Sequence, residues 1–262
     1  MKQIFAIAKN TFREAIRDRI LYGFLFFAVC LILFTVVLGE LSFNEEIRAT
    51  IDIGMAGISL FAVLMAIFLG ITLLHKEIEK RTLYTILSRP ISRNAYLVGK
   101  FLGLALTMIV QIVMMFSVWM VVLHIQGGSL TAGILLSTLL MTCETIVIIS
   151  MALFFTSFSS PFLSGLFCFG LFVAGRNADF INQLAQQKSM ASMAPLLNGV
   201  SAALPSFYLF YPSGKMVEGS WATVNGQFIS SGYMASAIGY SMAYTAAFLV
   251  LSAVLLNRRD FI

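Results

Sequence analysis

Six long apolar runs alternate with polar breaks, at about Ile20 to Leu38, Ile53 to Leu74, Tyr96 to Leu123, Leu130 to Phe155, Phe162 to Ala174 and Met234 to Leu256. A helix needs about 20 apolar residues to cross a hydrocarbon layer ~30 Å thick. The pattern predicts an all-α membrane protein, with six transmembrane helices in a single domain over residues 1–262. The fifth run is short for this task, so its ends are expected to extend into the flanking Ser and Asn residues. Between the first two runs, Glu40, Glu45, Glu46 and Asp52 stand against a single Arg48. Gln126-Gly127-Gly128-Ser129 makes a turn, and Ser157 to Pro161 makes a tight break.

Three segments are neither span nor short turn. In residues 1–19, Ile4, Phe5, Ala8, Phe12, Ala15 and Ile16 recur at helical spacing, with Lys9, Arg13 and Arg17 on the other side. A basic face opposite Phe and Ile suits an amphipathic helix lying in the headgroup layer. The charge of this stretch also rules it out as the apolar core of a cleaved signal. The second segment, 75–95, lies in the basic stretch from His75 to Lys100 between runs two and three. Ile78, Leu83, Ile86 and Leu87 share one helical face there, while Glu79, Lys80 and Arg81 point elsewhere. Arg89-Pro90 stops that helix, Ser92 caps the next one through its hydroxyl, and Lys100 is read as an anchor at the interface. Such a helix is suited to docking a soluble partner. The third segment, 176–232, holds Pro195, Pro205, Pro212, the aromatic run Phe207 to Tyr211, and Trp221. Short extracytoplasmic helices at the membrane–water boundary are expected.

Composition agrees with the pattern. Apolar residues make up 59% of the chain and charged residues 11%, against roughly 25% charged in soluble domains. Mean hydropathy is +0.91. Of the 17 Lys and Arg residues, 13 fall in the N-terminal stretch, the His75–Lys100 segment and the C-terminal tail. Positive charge gathers on the cytoplasmic side, which predicts that both termini and the basic segment are cytoplasmic. The basic residues sit at span ends rather than along one face, which argues against a nucleic-acid partner.

Little in the chain points to catalysis. His75 and His124 lie at opposite ends of their spans, about a membrane thickness apart. No Ser/His, Cys/His or paired-carboxylate set shares one depth. Cys30, Cys143 and Cys168 fall in apolar runs, and no Cys/His spacing suggests a metal. Glu144, flanked by Thr142 and Thr145, is the one carboxylate well inside a span. An acid in lipid is costly and faces a cavity or a partner. It is read either as a pathway or dimer-seam residue or as a carboxyl satisfied by neighbouring hydroxyls. Gln111 is a weaker case of the same kind. Gly23, Gly70, Gly99 and Gly103 are read as helix-packing positions.

Glu77, then Arg81-Thr82-Leu83, then Leu87-Ser88-Arg89-Pro90-Ile91-Ser92-Arg93, then Gly99-Lys100 resembles the signature of ABC-2 type permeases. Arg81 stands where many members carry Gly. The order of segments is similar as well, so the resemblance covers nearly the whole chain. It is nearest to the single-domain bacterial permeases that include the one serving nitrous oxide reductase maturation. The resemblance implies an exporter subunit in the bacterial cytoplasmic (inner) membrane, a homodimer with two copies of a separate ABC ATPase, and a coupling helix formed by residues 75–95. Glu77, Arg81, Thr82, Leu83, Leu87, Pro90 and Arg93 would carry that coupling, and the path would run mainly between spans 1, 2 and 5. ATP and Mg would be bound by the ATPase, with no cofactor in this chain. In accord with this, no Gly-x-x-x-x-Gly-Lys-[Ser/Thr] phosphate loop occurs here. The alternative is a non-transporting membrane module that relays ATPase motion to an extracytoplasmic accessory protein through residues 176–232.

Overall fold

In lipid the backbone must satisfy its own polar groups, which a helix does within one segment. A computed structural model describes residues 2–40, 46–79, 92–178, 204–210 and 231–258, with positions 180, 199, 216–217 and 220–221. Seven α-helices account for most of them: α1 (Lys2–Ile16), α2 (Arg19–Glu40), α3 (Glu46–Glu79), α4 (Arg93–Ile125), α5 (Ala132–Thr156), α6 (Pro161–Arg176) and α7 (Ser231–Arg258). Four have the length and apolarity to cross a membrane: α3 over Thr50–Glu77, α4, α5, and α7 over Ser231–Leu256. Helices α1 and α2 meet that test only together, as a pair bent by 60°. Helix α6 is apolar but has only 16 residues, about 24 Å. It starts where the sequence breaks, with Pro161 in its first turn after an extended Ser160; proline there loses no helical hydrogen bond.

Helix α3 is the axis of the fold. It packs against α2, α4, α5 and α6, and 72% of its most apolar stretch is buried, against 11% for α7. Met65, Leu73 and Leu74 of α3, Met108 and Trp119 of α4, and Ile148, Met151 and Leu153 of α5 belong to one buried core. Near the far end of α3, the Trp119 indole N–H donates to the Thr50 carbonyl at 3.2 Å. The ring passes so close to Gly54 that a Cβ there would lie 2.0 Å from Nε1.

Helix α1 is packed against the bundle. It docks along α4 with Ile7, Ala8, Thr11 and Ala15, and Thr11 and Ala15 are buried. Phe5, which the sequence places on the apolar face, is 72% exposed. The contact face is rotated toward the small residues because α4 offers Gly99 and Gly103 there. A Cβ at Gly103 would fall 2.6 Å from the Ala8 carbonyl oxygen and from Thr11 Cβ. Close backbone approach over small residues is a common way to pack helices in lipid. Gly70 serves likewise against Ala152, whereas Gly23 meets nothing within 4 Å among the described residues.

The weakly buried α7 is held by aromatic contacts and a few polar ones. Phe172, Phe207, Phe210, Tyr240, Tyr244, Phe248 and Phe154 form a continuous series with ring centroids 4.5 to 6.4 Å apart. Such pairs add about 0.5–1.5 kcal/mol each beyond area burial. The Tyr233 hydroxyl donates to Leu209 O at 2.5 Å, and the Ser206 amide donates to the Tyr240 hydroxyl at 2.8 Å. Between α6 and α7, the described residues form a 3-10 turn, Phe207–Phe210, and a two-residue antiparallel pair in which Met216 faces Trp221. The sequence anticipates only helices in this stretch; a proline-rich segment has fewer free amides for helix formation.

The α1–α4 contact is testable. Gly103→Leu is expected to lower stability by about 1–3 kcal/mol, the usual cost of overpacking, and to lift α1 from α4. Thiol labelling of a reporter Ala15→Cys checks this, because the buried site should react only in the Gly103→Leu background.

Candidate functional site

The polar chemistry of the described residues concentrates at two places. The first lies where α3 ends and α4 begins, on either side of the segment 80–91. Ser92 caps α4, its hydroxyl accepting from the Ala95 amide at 3.2 Å. One helical turn apart on the same face, Tyr96 and Lys100 both reach Glu77 on α3. Lys100 Nζ donates to Glu77 Oε1 at 2.8 Å, and the Tyr96 hydroxyl donates to Glu77 Oε2. Glu14 of α1 stands 3.6 Å from the same ammonium.

The Lys100 side chain is 1% exposed, so it is no interfacial anchor. Its four-carbon stem runs among α1, α3 and α4, and its charge is matched inside the protein rather than in water. Breaking a buried pair costs about 3–5 kcal/mol because the remaining charge is stranded. Two more contacts frame this region. Lys76 pairs with Asp18 in the α1–α2 corner at 2.9 Å. Arg93 donates to the Leu256 carbonyl at 2.8 Å, tying the start of α4 to the end of α7.

The second place is within the helices. Glu144 of α5 is fully buried, and its Oε1 accepts from Arg176 at 2.8 Å. Arg176, the last residue of α6, also donates to the Ser59 hydroxyl of α3 at 3.2 Å and lies over the Phe172 ring at 5.5 Å. The partner is therefore Arg176 and not the adjacent hydroxyls. Thr142 and Thr145 donate instead to carbonyls of their own helix, the usual habit of threonine in an apolar helix. Gln111 is 2% exposed on α4, and its Nε2 has no partner among the described residues.

Of the residues read from sequence as coupling positions, Glu77 and Arg93 are described, and both turn toward the helices. Arg81, Thr82, Leu83, Leu87 and Pro90 lie outside the described residues. The sequence reading missed Lys100 as a buried partner and Arg176 as the counter-charge of Glu144. The available signals were the spacing of Tyr96 and Lys100, and a basic residue closing the shortest apolar run. Among the described residues no group of three or more His, Cys, Asp or Glu side chains could hold a metal. The arrangement suits mechanical linkage: charged contacts join the helices, and at Lys100 and Glu144 the groups are withdrawn from water.

Lys100→Met is expected to destabilise the protein by about 3–5 kcal/mol, and Lys100→Met with Glu77→Leu by distinctly less, as read by thermal unfolding in detergent. In the same assay Arg176→Leu, which strands Glu144 in the apolar interior, should cost about 3 kcal/mol, with partial recovery on adding Glu144→Leu.

No curated protein matches the chain. The sequence pattern of the ABC-2 family transporter proteins matches residues 5–261, from the start of α1 to the C-terminal tail. Four helices of membrane-crossing length and apolarity and a match over nearly the whole length agree: the chain belongs to the ABC-2 family of transporter membrane proteins.

Proposed function

We propose that this chain is the permease subunit of an ABC exporter of the bacterial inner membrane, with six spans and both termini cytoplasmic. The six are the four long helices together with α2 and α6. Two copies would form the path, and two copies of a separate ATPase would bind ATP and Mg and supply the work. Residues 75–95 would be the coupling segment seated in the ATPase. The 13 basic residues gathered on one side favour this orientation.

The observation that carries the reading is the set of contacts at both ends of segment 80–91. At its entry Glu77 is tied to Lys100 and Tyr96 of α4, with Glu14 of α1 beside them. At its exit Arg93 is tied to the end of α7. A displacement of the segment is thereby delivered to α1, α3, α4 and α7 together. A hinge-type change between two states needs such stiff links. Glu77 and Arg93 would act as the roots of the coupling segment, and Leu83 and Leu87 as its contact face.

Leu87→Asp is expected to weaken capture of the ATPase from native membranes by about thirtyfold, the loss of one well-buried interface anchor. Membrane insertion and thermal stability should stay at wild-type values. Arg93→Glu should reduce capture as well and should lower stability, since it also breaks the bond to Leu256. Affinity purification with mass spectrometry reads both. An ATPase retained at wild-type level by both variants overturns the proposal.

A further inference from the structure

Helix α6 meets α3 where Gly165 approaches Ile71, and again at its last residue, where Arg176 donates to Ser59. Between these contacts Leu64 and Phe68 of α3 and Leu166 and Phe169 of α6 line a groove of about 710 Å³. That part of the seam is therefore open rather than packed, and the polar contact at Arg176 closes it. The start of α6 has the form of a hinge. Ser160 is extended, its hydroxyl makes no capping bond, and Pro161 opens the helix. Hinges are a few residues at the ends of such elements.

The two charges of the Glu144–Arg176 pair behave differently on parting. Arg176 ends its helix, has a side chain 23% exposed, and keeps its charge in every state. Glu144 stands midway along α5 with no exposure, and its Oε2 accepts no hydrogen bond among the described residues. An ionised carboxyl left alone there is strongly unfavourable. It is relieved by binding a proton, which makes the group neutral.

Other ionisable groups on the elements packed against α5 are placed differently. On α3 they lie from Asp52 toward one end and from His75 toward the other. On α4 they lie at Arg93 to Lys100 and at His124. The 3-10 turn and α7 bring the phenols of Tyr208, Tyr233, Tyr240 and Tyr244, with Arg258 at the far end of α7.

We propose that the Glu144–Arg176 pair is a proton-linked latch on α6. In the latched state Glu144 is a carboxylate bound to Arg176. In the released state the end of α6 swings from α3 and α5, water enters the place Arg176 leaves, and Glu144 takes one proton from it. Closing returns that proton. The released state holds one proton more, so acid favours release. The ratio of released to latched molecules should rise by up to about tenfold for each unit fall in pH. The latch belongs to α3, α5 and α6 and holds whether or not the segment 75–95 engages an ATPase.

The test is pulsed electron paramagnetic resonance on the full chain in lipid nanodiscs. Nitroxides are placed at Val121→Cys and Asn177→Cys, both exposed positions, with Cys30, Cys143 and Cys168 replaced by Ala and melting temperature as the folding control. Acidification should shift the distances from one population to a second. Glu144→Gln, a neutral side chain of the same shape, should populate the second at every pH. Arg176→Gln should likewise remove the pH dependence, whereas Arg176→Lys should keep it. Distances that do not change with pH in the wild-type pair overturn the latch. So does a pH dependence that survives in whichever of Glu144→Gln and Arg176→Gln folds.

Discussion

An ammonium group withdrawn from water must find carboxylates already in place, and Lys100 imposes that condition on three helices at once. Its side chain is essentially unexposed, with Glu77 at 2.8 Å and Glu14 at 3.6 Å. To satisfy it, α1 must lie against α4, and α3 must end beside the first turn of α4. Gly99 and Gly103 make that approach sterically possible, with Gly99 immediately before the lysine and Gly103 one turn on. Removing the glycines would deny α1 its seat, and removing the acids would leave the lysine without a match. Packing and electrostatics here are one constraint, because neither geometry is available without the other.

The Glu144–Arg176 pair applies the same logic to a helix that is too short. At 16 residues, α6 is shorter than a hydrocarbon layer ~30 Å thick. Its last residue is an arginine, whose charge is absorbed by Glu144 on α5, by Ser59 on α3 and by the Phe172 ring. A cation at this position would otherwise cost several kcal/mol. The short helix and the buried acid, which look like separate oddities in the sequence, explain one another.

How far the fold was legible follows from which signals are local. The long apolar runs gave α3, α4, α5 and α7 at nearly the right bounds, because length and apolarity alone decide whether a helix suits lipid. The start of α4 was legible from Ser92, whose capping role needs only the residues beside it. The burial of Lys100 was not, since it depends on acids far away in sequence, and a lysine near a span end ordinarily extends to water. The side of α1 that meets protein was only partly legible for a related reason. Hydrophobic periodicity selects Phe5 for lipid as readily as for protein, and only the glycines of α4 decide that Thr11 is the residue covered. Within 176–232 only short helices were expected, and the 3-10 turn and the two-residue antiparallel pair of the described residues were not legible.

Helix α3 also has the proportions of a lever. Near one end, Gly54 and the Thr50 carbonyl are locked to the Trp119 ring, a natural fulcrum. The other end carries Glu77, about 35 Å along the rod at 1.5 Å per residue. A swing of about 5° about that fulcrum would carry the Glu77 carboxylate through roughly 3 Å, comparable to the 2.8 Å reach that joins it to Lys100. The same rotation moves the middle of the rod only about half as far, so the displacement is greatest at the tip, where it is large enough to make or break an ionic contact.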